Sequence, residues 1–530
     1  MSEPSTNPEN AGYMKWLMRG TVLTVVNFFI ALFLSFWLAR LQVYTLGERL
    51  CGIWSTVAAL TGWYALLDLG LNYTVSRFIT KSFSTKDYDE CNICASTGFS
   101  LFLGMGSLVL VLSFVFGFGA SHFFPKVEDI GLIGTVIILS GAAFALDFPL
   151  RAFYGISLGA MRHDLAMLVG IAFRVAGAVM TWLILVSGGQ LIALAAGNII
   201  LMSAQIWVCY ALARYSFPQL RLSRNNVRRS HIRILFGYSI FGLIAHLGSV
   251  MIFELDKVLI PFFLAFEYVF PFGIALQFAQ YFSGLLMSMT SWMVTWLTYL
   301  HAQGHKDKIW KTMRFGFKYC TYVSGFITFG LIAWSEPFIT RWILNPEAIE
   351  SGKIDPVYWQ DIIPCTILLT LVAAVRAIQE PNIRYLYATA NHHYYAFSNV
   401  IEGLLNIELS LIFAMQYGLV GFAWGTLISC LLLRGVFIPL IVCRLMERSL
   451  LVFYTEILRH FLFVGIALII PAIATWQLVA PNYPALFLVG GISAVIYFPV
   501  IYLIGFSTEE RNKIKGYLLK GHKEDGIPAQ

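Results

Sequence analysis

Charge is scarce in this chain. Only 12% of its 530 residues are Asp, Glu, Lys or Arg, where soluble domains carry about 25%. A soluble protein of this length must cover its outside with polar groups, so the composition excludes one. Cysteine spacing is equally uninformative. The eight cysteines are scattered through apolar stretches, which excludes a disulfide framework. The single close pair, Cys91 and Cys94, has no second pair or histidine beside it in the sequence to complete a metal site. No Walker A motif, HExxH or strand-flanked GxSxG occurs, so no ATPase or common hydrolase is built in. The longest outer loop, about 335–357, is too short to form a domain. That argues against a membrane polymerase, ligase or glycosyltransferase, which needs such a domain for its chemistry.

What the chain has instead is apolar length. Hydrophobic residues make up 58%, and the mean hydropathy is +0.72. Mostly apolar stretches recur at 17–40, 51–78, 92–118, 130–153, 166–186, 190–213, 232–260, 269–299, 315–334, 358–379, 393–416, 418–443, 460–480 and 484–505. Each is long enough to cross a hydrocarbon core of about 30 Å as a helix. None shows the alternating ten-residue pattern of a transmembrane barrel. The first is too long, and lacks the cleavage site, for a removed signal peptide. The expected fold class is therefore all-α integral membrane, with about 14 transmembrane helices.

Basic residues set the orientation. With the N-terminus cytoplasmic, about 27 of the 36 lysines and arginines fall in inner loops and tails, as the positive-inside rule requires. An even number of crossings then keeps the C-terminal Arg511, Lys513, Lys515, Lys520 and Lys523 inside as well. The net charge of +7 reads as topology, and a nucleic-acid role gains no support. The six arginines between Arg214 and Arg233 serve as an orientation signal or bind anionic lipid head groups.

Residues 28–60 and 246–276 share a layout. In each, a long helix ends in charged residues (Arg40; Glu254, Asp256 and Lys257), a short outer loop follows, and the next helix opens with aromatics. The offset is about 217 residues, and parallel repeats of this kind imply two six-helix lobes related by pseudo-twofold symmetry about the membrane normal, with a path between them. The expected organisation is a disordered tail over 1–12, lobes over 13–213 and 234–443 joined by a basic linker at 214–233, two additional helices over 444–505, and a basic tail at 506–530.

LARLQVYTLGERLCGIW, followed by LLDLGLNYTVSRFITKSFSTKDYDECN, resembles the opening of the polysaccharide flippases of the multidrug/oligosaccharidyl-lipid/polysaccharide exporter superfamily. FELDKVLIPFFLAFEYVFPFGIALQFAQ is similar to that family's pattern at the seventh and eighth helices. Pro271 departs from it, standing where the family commonly has tyrosine. The resemblance spans about residues 13–505. It implies a flippase that moves a polyprenyl-pyrophosphate-linked oligosaccharide from the cytoplasmic to the outer leaflet of the cell inner membrane by alternating access. It implies no enzymatic activity and no cofactor, with H+ or Na+ as the coupling ion where transport is coupled. Expected partners are the lipid-linked substrate, membrane lipids, and a polysaccharide polymerase with other assembly proteins. The alternative within the superfamily is a cation-coupled multidrug exporter, which typically has twelve helices.

A diphosphate head group calls for cations in a polar cavity, and arginine can bind phosphate bidentately. The candidates are Arg40, Arg77, Arg174 and Arg376. Arg174 either lines the cavity or pairs with a neighbouring helix; Arg376 and Arg434 lie nearer the inner interface and can snorkel. Acids inside a span are costly unless they pair or titrate. Glu402 and Glu408, with Asn406 between them, are thus candidates for ion coupling, and 402 and 406 share a helix face while 408 does not. Asp68 joins the same network or makes a packing contact. Asp147 and Arg151, four apart, suit a local ion pair. Glu254, Asp256 and Lys257 form an outer-interface cluster or a gate.

Overall fold

The computed structural model describes residues 8–68, 71–123, 129–232, 240–476, 483–508 and 510–511. Of the expected tails at 1–12 and 506–530, residues 1–7, 509 and 512–530 lie outside the described residues, while 8–12 belong to the first helix. The long helices begin with α1 (Pro8–Gly62), α2 (Leu71–Ser84), α3 (Tyr88–Phe118), α4 (Ile130–Gly159), α5 (His163–Val186) and α6 (Leu191–Ser216). They continue with α7 (Ile240–Phe253), α8 (Leu255–Phe263), α9 (Val269–Thr290), α10 (Trp292–Ala302), α11 (Lys306–Trp342) and α12 (Ile362–Ala388). The last are α13 (His392–Tyr417), α14 (Leu419–Cys430), α15 (Ile438–Leu445), α16 (Leu450–Trp476) and α17 (Tyr483–Gly505). No strand occurs among the described residues.

Among the described residues, twelve helical stretches are long and apolar enough to cross a membrane. The first, Val26–Asp68, contains two helices, because α1 breaks at Gly47 with φ +77°. That backbone conformation is open to glycine without steric cost. A further crossing is built from α7 and α8, which are interrupted at Glu254. Counted so, fourteen crossings, the number expected, lie among the described residues. The chain is a multi-pass, all-helical membrane protein, consistent with helices satisfying their own backbone groups in hydrocarbon.

The chain forms two compact units. The first comprises 1–274, 343–362 and 396–426. One of its cores gathers Phe102, Phe148, Phe153 and Ile156; another joins Ile53 and Val57 to Ile133, Leu191 and Phe266. The segment after α11, the expected outer loop, folds onto this unit rather than forming a domain. Its Asp355 N–H and Trp359 Nε1 both donate to Glu48 Oε1, at 2.9 and 3.3 Å. The sequence repeat has a structural counterpart. The helix breaks at Gly47 in the first copy and at Leu264 in the second, and Thr56 Oγ1 of one donates to Lys257 O of the other at 3.3 Å.

The second unit comprises 275–342, 363–395 and 427–530. Met293, Trp310, Phe317, Leu386, Ile438 and Phe453 share one core. The C-terminal pair α16 and α17 packs on α11 through Tyr322, Val464, Ala467 and Tyr497, with Tyr497 OH donating to Tyr322 O at 2.8 Å. Pro471 and Pro499 sit inside these helices. Ile473, Phe487 and Val495 are each more than 70% exposed, the lipid-facing pattern of a span. Between α14 and α15 the helix widens into a π turn, Leu431–Phe437. There Arg434 is buried, its guanidinium 4.6 Å from the centre of the Tyr395 ring. Arg434 therefore does not snorkel to the interface.

Candidate ion and substrate sites

Two polar clusters lie within the first unit. In the first, Arg151 on α4 serves two acids. Its Nε donates to Asp147 Oδ2, one turn earlier, at 2.7 Å, and its Nη1 donates to Asp68 Oδ2 at 2.9 Å. The local pair expected from the i, i+4 spacing is present, and Asp68 joins it from 83 residues away. The Phe148 and Phe144 rings flank the guanidinium at 5.4 and 5.9 Å. One cation between two carboxylates leaves the cluster formally negative. Asp147 also lines a cavity of about 340 Å³, together with Trp54, Thr61, Ser140, Phe144 and Asn198. His246 lies within electrostatic reach of Asp68 and Arg151.

The second cluster forms where α7 and α8 meet α13 and α14. On α13 the spacing 399, 402, 406, 410 places Asn399, Glu402, Asn406 and Ser410 on one stripe, and all four are fully buried. Asn399 Nδ2 donates to Ala245 O at 3.0 Å, tying that stripe to α7. Asp256, just after the break at Glu254, is 2% exposed. Its Oδ2 accepts from Thr426 Oγ1 at 3.1 Å. Thr426 and Ser410 also donate to Phe422 O, at 3.0 and 3.3 Å, and Ser410 donates to Asn406 Oδ1 at 3.2 Å. Asp256 Oδ1 has no hydrogen-bond partner among the described residues. The result is a ring of carboxylate, amide, hydroxyl and carbonyl oxygens, a donor set suited to a hard cation. Broken helices at membrane depth are a recurrent setting for Na+ or H+ sites.

The remaining candidates are dispersed. Arg174 Nε donates to Asn27 Oδ1 on α1 at 3.1 Å, and the residue is exposed. Arg40 lies 5.2 Å from the centre of the Tyr44 ring. Arg77 is exposed on α2, and Arg376 is half-buried on α12 in the second unit. Glu408 is exposed, on the opposite side of α13 from the buried stripe.

Asp256 was grouped by sequence with Glu254 and Lys257, but the structure separates them. Glu254 and Lys257 pair at i, i+3, while Asp256 points into the oxygen ring. Helical periodicity carried this signal, since Asp256 stands about 200° around the helix from Glu254.

No family model matches the sequence, and no curated protein matches it by sequence. Solved structures do. The inward closed conformation of the lipid II flippase MurJ superposes with a TM-score of 0.68 at 16% identity, covering 91% of this chain and 98% of that one. The inward-facing conformation of a multidrug resistance MATE family transporter of the MOP superfamily gives 0.68 at 12%, covering 80% and 96%. The MATE multidrug transporter DinF-BH gives 0.60 at 14%, covering 84% and 98%. The chain has the fold that these transporters share.

Proposed function

We propose that this protein is a cation-coupled flippase, carrying a polyprenyl-pyrophosphate-linked oligosaccharide from the cytoplasmic to the outer leaflet by alternating access between lobes at 13–213 and 234–443. The observation that carries the reading is the C-terminal pair α16 and α17, packed on α11, which extends the chain beyond a twelve-helix exporter. The longer coverage of the lipid II flippase supports it. Arg40, Arg77, Arg174 and Arg376 are the cations offered to the diphosphate. Asp256, Asn406, Ser410, Thr426 and the Phe422 carbonyl would hold Na+ or a proton. The inner membrane is the proposed location, with both termini cytoplasmic and a polysaccharide polymerase and other assembly proteins as partners.

Deleting the gene should deplete surface glycan and leave lipid-linked precursor on the cytoplasmic side. Unchanged glycan without accumulated precursor would sink the proposal. A second reading, multidrug export, is favoured by the cavity itself: Asp147 beside Trp54 and Phe144 suits an aromatic cation. Efflux of a cationic aromatic dye that disappears in Asp147→Asn, with surface glycan intact, would select it.

A further inference from the structure

After α6 the chain lies along the first turns of α3. Asn92 Nδ2 donates to Gln219 O at 3.1 Å, and its Oδ1 accepts from Arg221 N at 2.7 Å. Ser96 Oγ accepts from Ser223 N at 3.2 Å, and Thr97 Oγ1 accepts from Arg228 N at 3.2 Å. At the end of this seam, His231 Nε2 lies 2.8 Å from Glu90 Oε1. Cys94, one turn after Glu90 and 1% exposed, completes a trio whose ligand atoms all lie within 4.8 Å of one another.

We propose that Glu90, Cys94 and His231 bind a divalent metal ion of the zinc class and clasp the linker onto α3. Thiolate, imidazole and carboxylate are each zinc ligands, and this combination favours a borderline-soft ion over magnesium or calcium. Bonds of about 2.0–2.3 Å around a tetrahedral ion separate its ligand atoms by roughly 3.3–3.8 Å. The Cys94 sulfur would therefore close in by a rotamer adjustment, and the Glu90–His231 contact would open around the ion. The Glu90 side chain is 38% exposed, so water can reach a fourth position. Binding exchanges the S–H bond for an S–metal bond and releases that proton to solvent, so affinity rises with pH. Ser230 Oγ, 3.4 Å from His231 Nδ1, can orient the ring. Cys91 supplies a control, because its thiol faces the Ile79 carbonyl at 3.8 Å.

The test uses purified full-length protein, stripped with a chelator and titrated with Co2+ and then Zn2+. One Co2+ should bind per chain, with a thiolate-to-cobalt charge-transfer band and tetrahedral d–d absorption that Zn2+ abolishes. Cys94→Ser should remove the charge-transfer band, Cys91→Ser should retain it, and His231→Gln should weaken affinity on the order of 100-fold or more. A wild-type chain without the band, or a band that survives Cys94→Ser, overturns the proposal. If Cys94→Ser fails to fold, unchanged affinity in His231→Gln overturns it equally.

Discussion

Replacing Asp256 with asparagine tests the oxygen ring directly. Asp256 is 2% exposed, its Oδ1 has no hydrogen-bond partner among the described residues, and Thr426 donates to its Oδ2. Lys257 is already engaged by Glu254. A carboxylate in that position needs a bound cation or a proton, because an isolated buried charge is costly. A cation that binds only the folded chain stabilises it by RT ln(1 + [L]/Kd), about 2.7 kcal/mol at a hundredfold excess over Kd. The purified protein should therefore melt a few degrees higher in Na+ than in choline at the same ionic strength, and the increment should shrink at acid pH as protons compete. Asp256→Asn is nearly isosteric but neutral, so its Tm should be independent of Na+. Equal Na+ stabilisation of variant and wild type would refute the assignment. So would a wild type that responds to neither alkali cations nor pH.

Other substitutions separate pairing from function. Arg151→Met removes the guanidinium that Asp68 and Asp147 share, and should destabilise the protein by about 3 kcal/mol, the low end for breaking a buried pair because each side chain keeps some solvent contact; Asp68→Asn combined with it should restore part of the lost Tm. Glu402→Gln, on the fully buried stripe, should alter transport or its cation dependence, while Glu408→Gln, exposed on the other side, should not; a transport assay in proteoliposomes reads both. Burial works to raise the Glu510 pKa, but the Lys318 amine at 2.6 Å and the Ser507 N–H outweigh it and hold the carboxyl below its ordinary 4.5. A lowered folded pKa gives stability that is present above 4.5 and lost as pH falls through the lowered value. The Tm deficit of Glu510→Gln at pH 7 should thus close on acidification. At Gly425 a Cβ would stand 2.4 Å from Ser410 N and Oγ, so Gly425→Val should cost about 1–3 kcal/mol and blunt the Na+ response with Asp256 intact; Gly465→Ala, where nothing lies within 4 Å, is the control.

The helices were legible because apolar length is written locally. The fourteen crossings followed from it, and so did the repeat, whose breaks at Gly47 and Leu264 fall at matching places in the two quoted segments. Helical periodicity also separated Glu402 and Asn406 from Glu408. What stayed hidden depends on contacts distant in sequence. Arg151 reaches Asp68 across 83 residues, Thr426 reaches Asp256 across 170, and His231 meets Glu90 across 141. Cys94 looked isolated because the histidine beside it, His231, comes from the linker, and the π turn that carries the buried Arg434 is not encoded in hydropathy.

The two polar clusters differ in how completely their groups are satisfied, and this difference underlies the roles proposed for them. Around Arg151, each carboxylate meets a guanidinium N–H and the cation is flanked by aromatic rings. Such a group holds α4 to the end of the second crossing whether or not a ligand is present, and its residual negative charge only biases the adjoining cavity toward cations. Around Asp256 the Thr426 and Ser410 hydroxyls are engaged by carbonyl, amide and carboxylate oxygens, and Asp256 Oδ1 has no hydrogen-bond partner among the described residues. A cation or a proton at Asp256 Oδ1 would satisfy that oxygen with a single particle. The break at Glu254 exposes the Ile252 carbonyl to the Asn406 amide at 3.5 Å, so filling the ring bears on the geometry of the broken helix itself. In the proposed function, cation binding would thereby be linked to helix conformation at one position, the physical requirement for a coupling ion to bias a transport cycle.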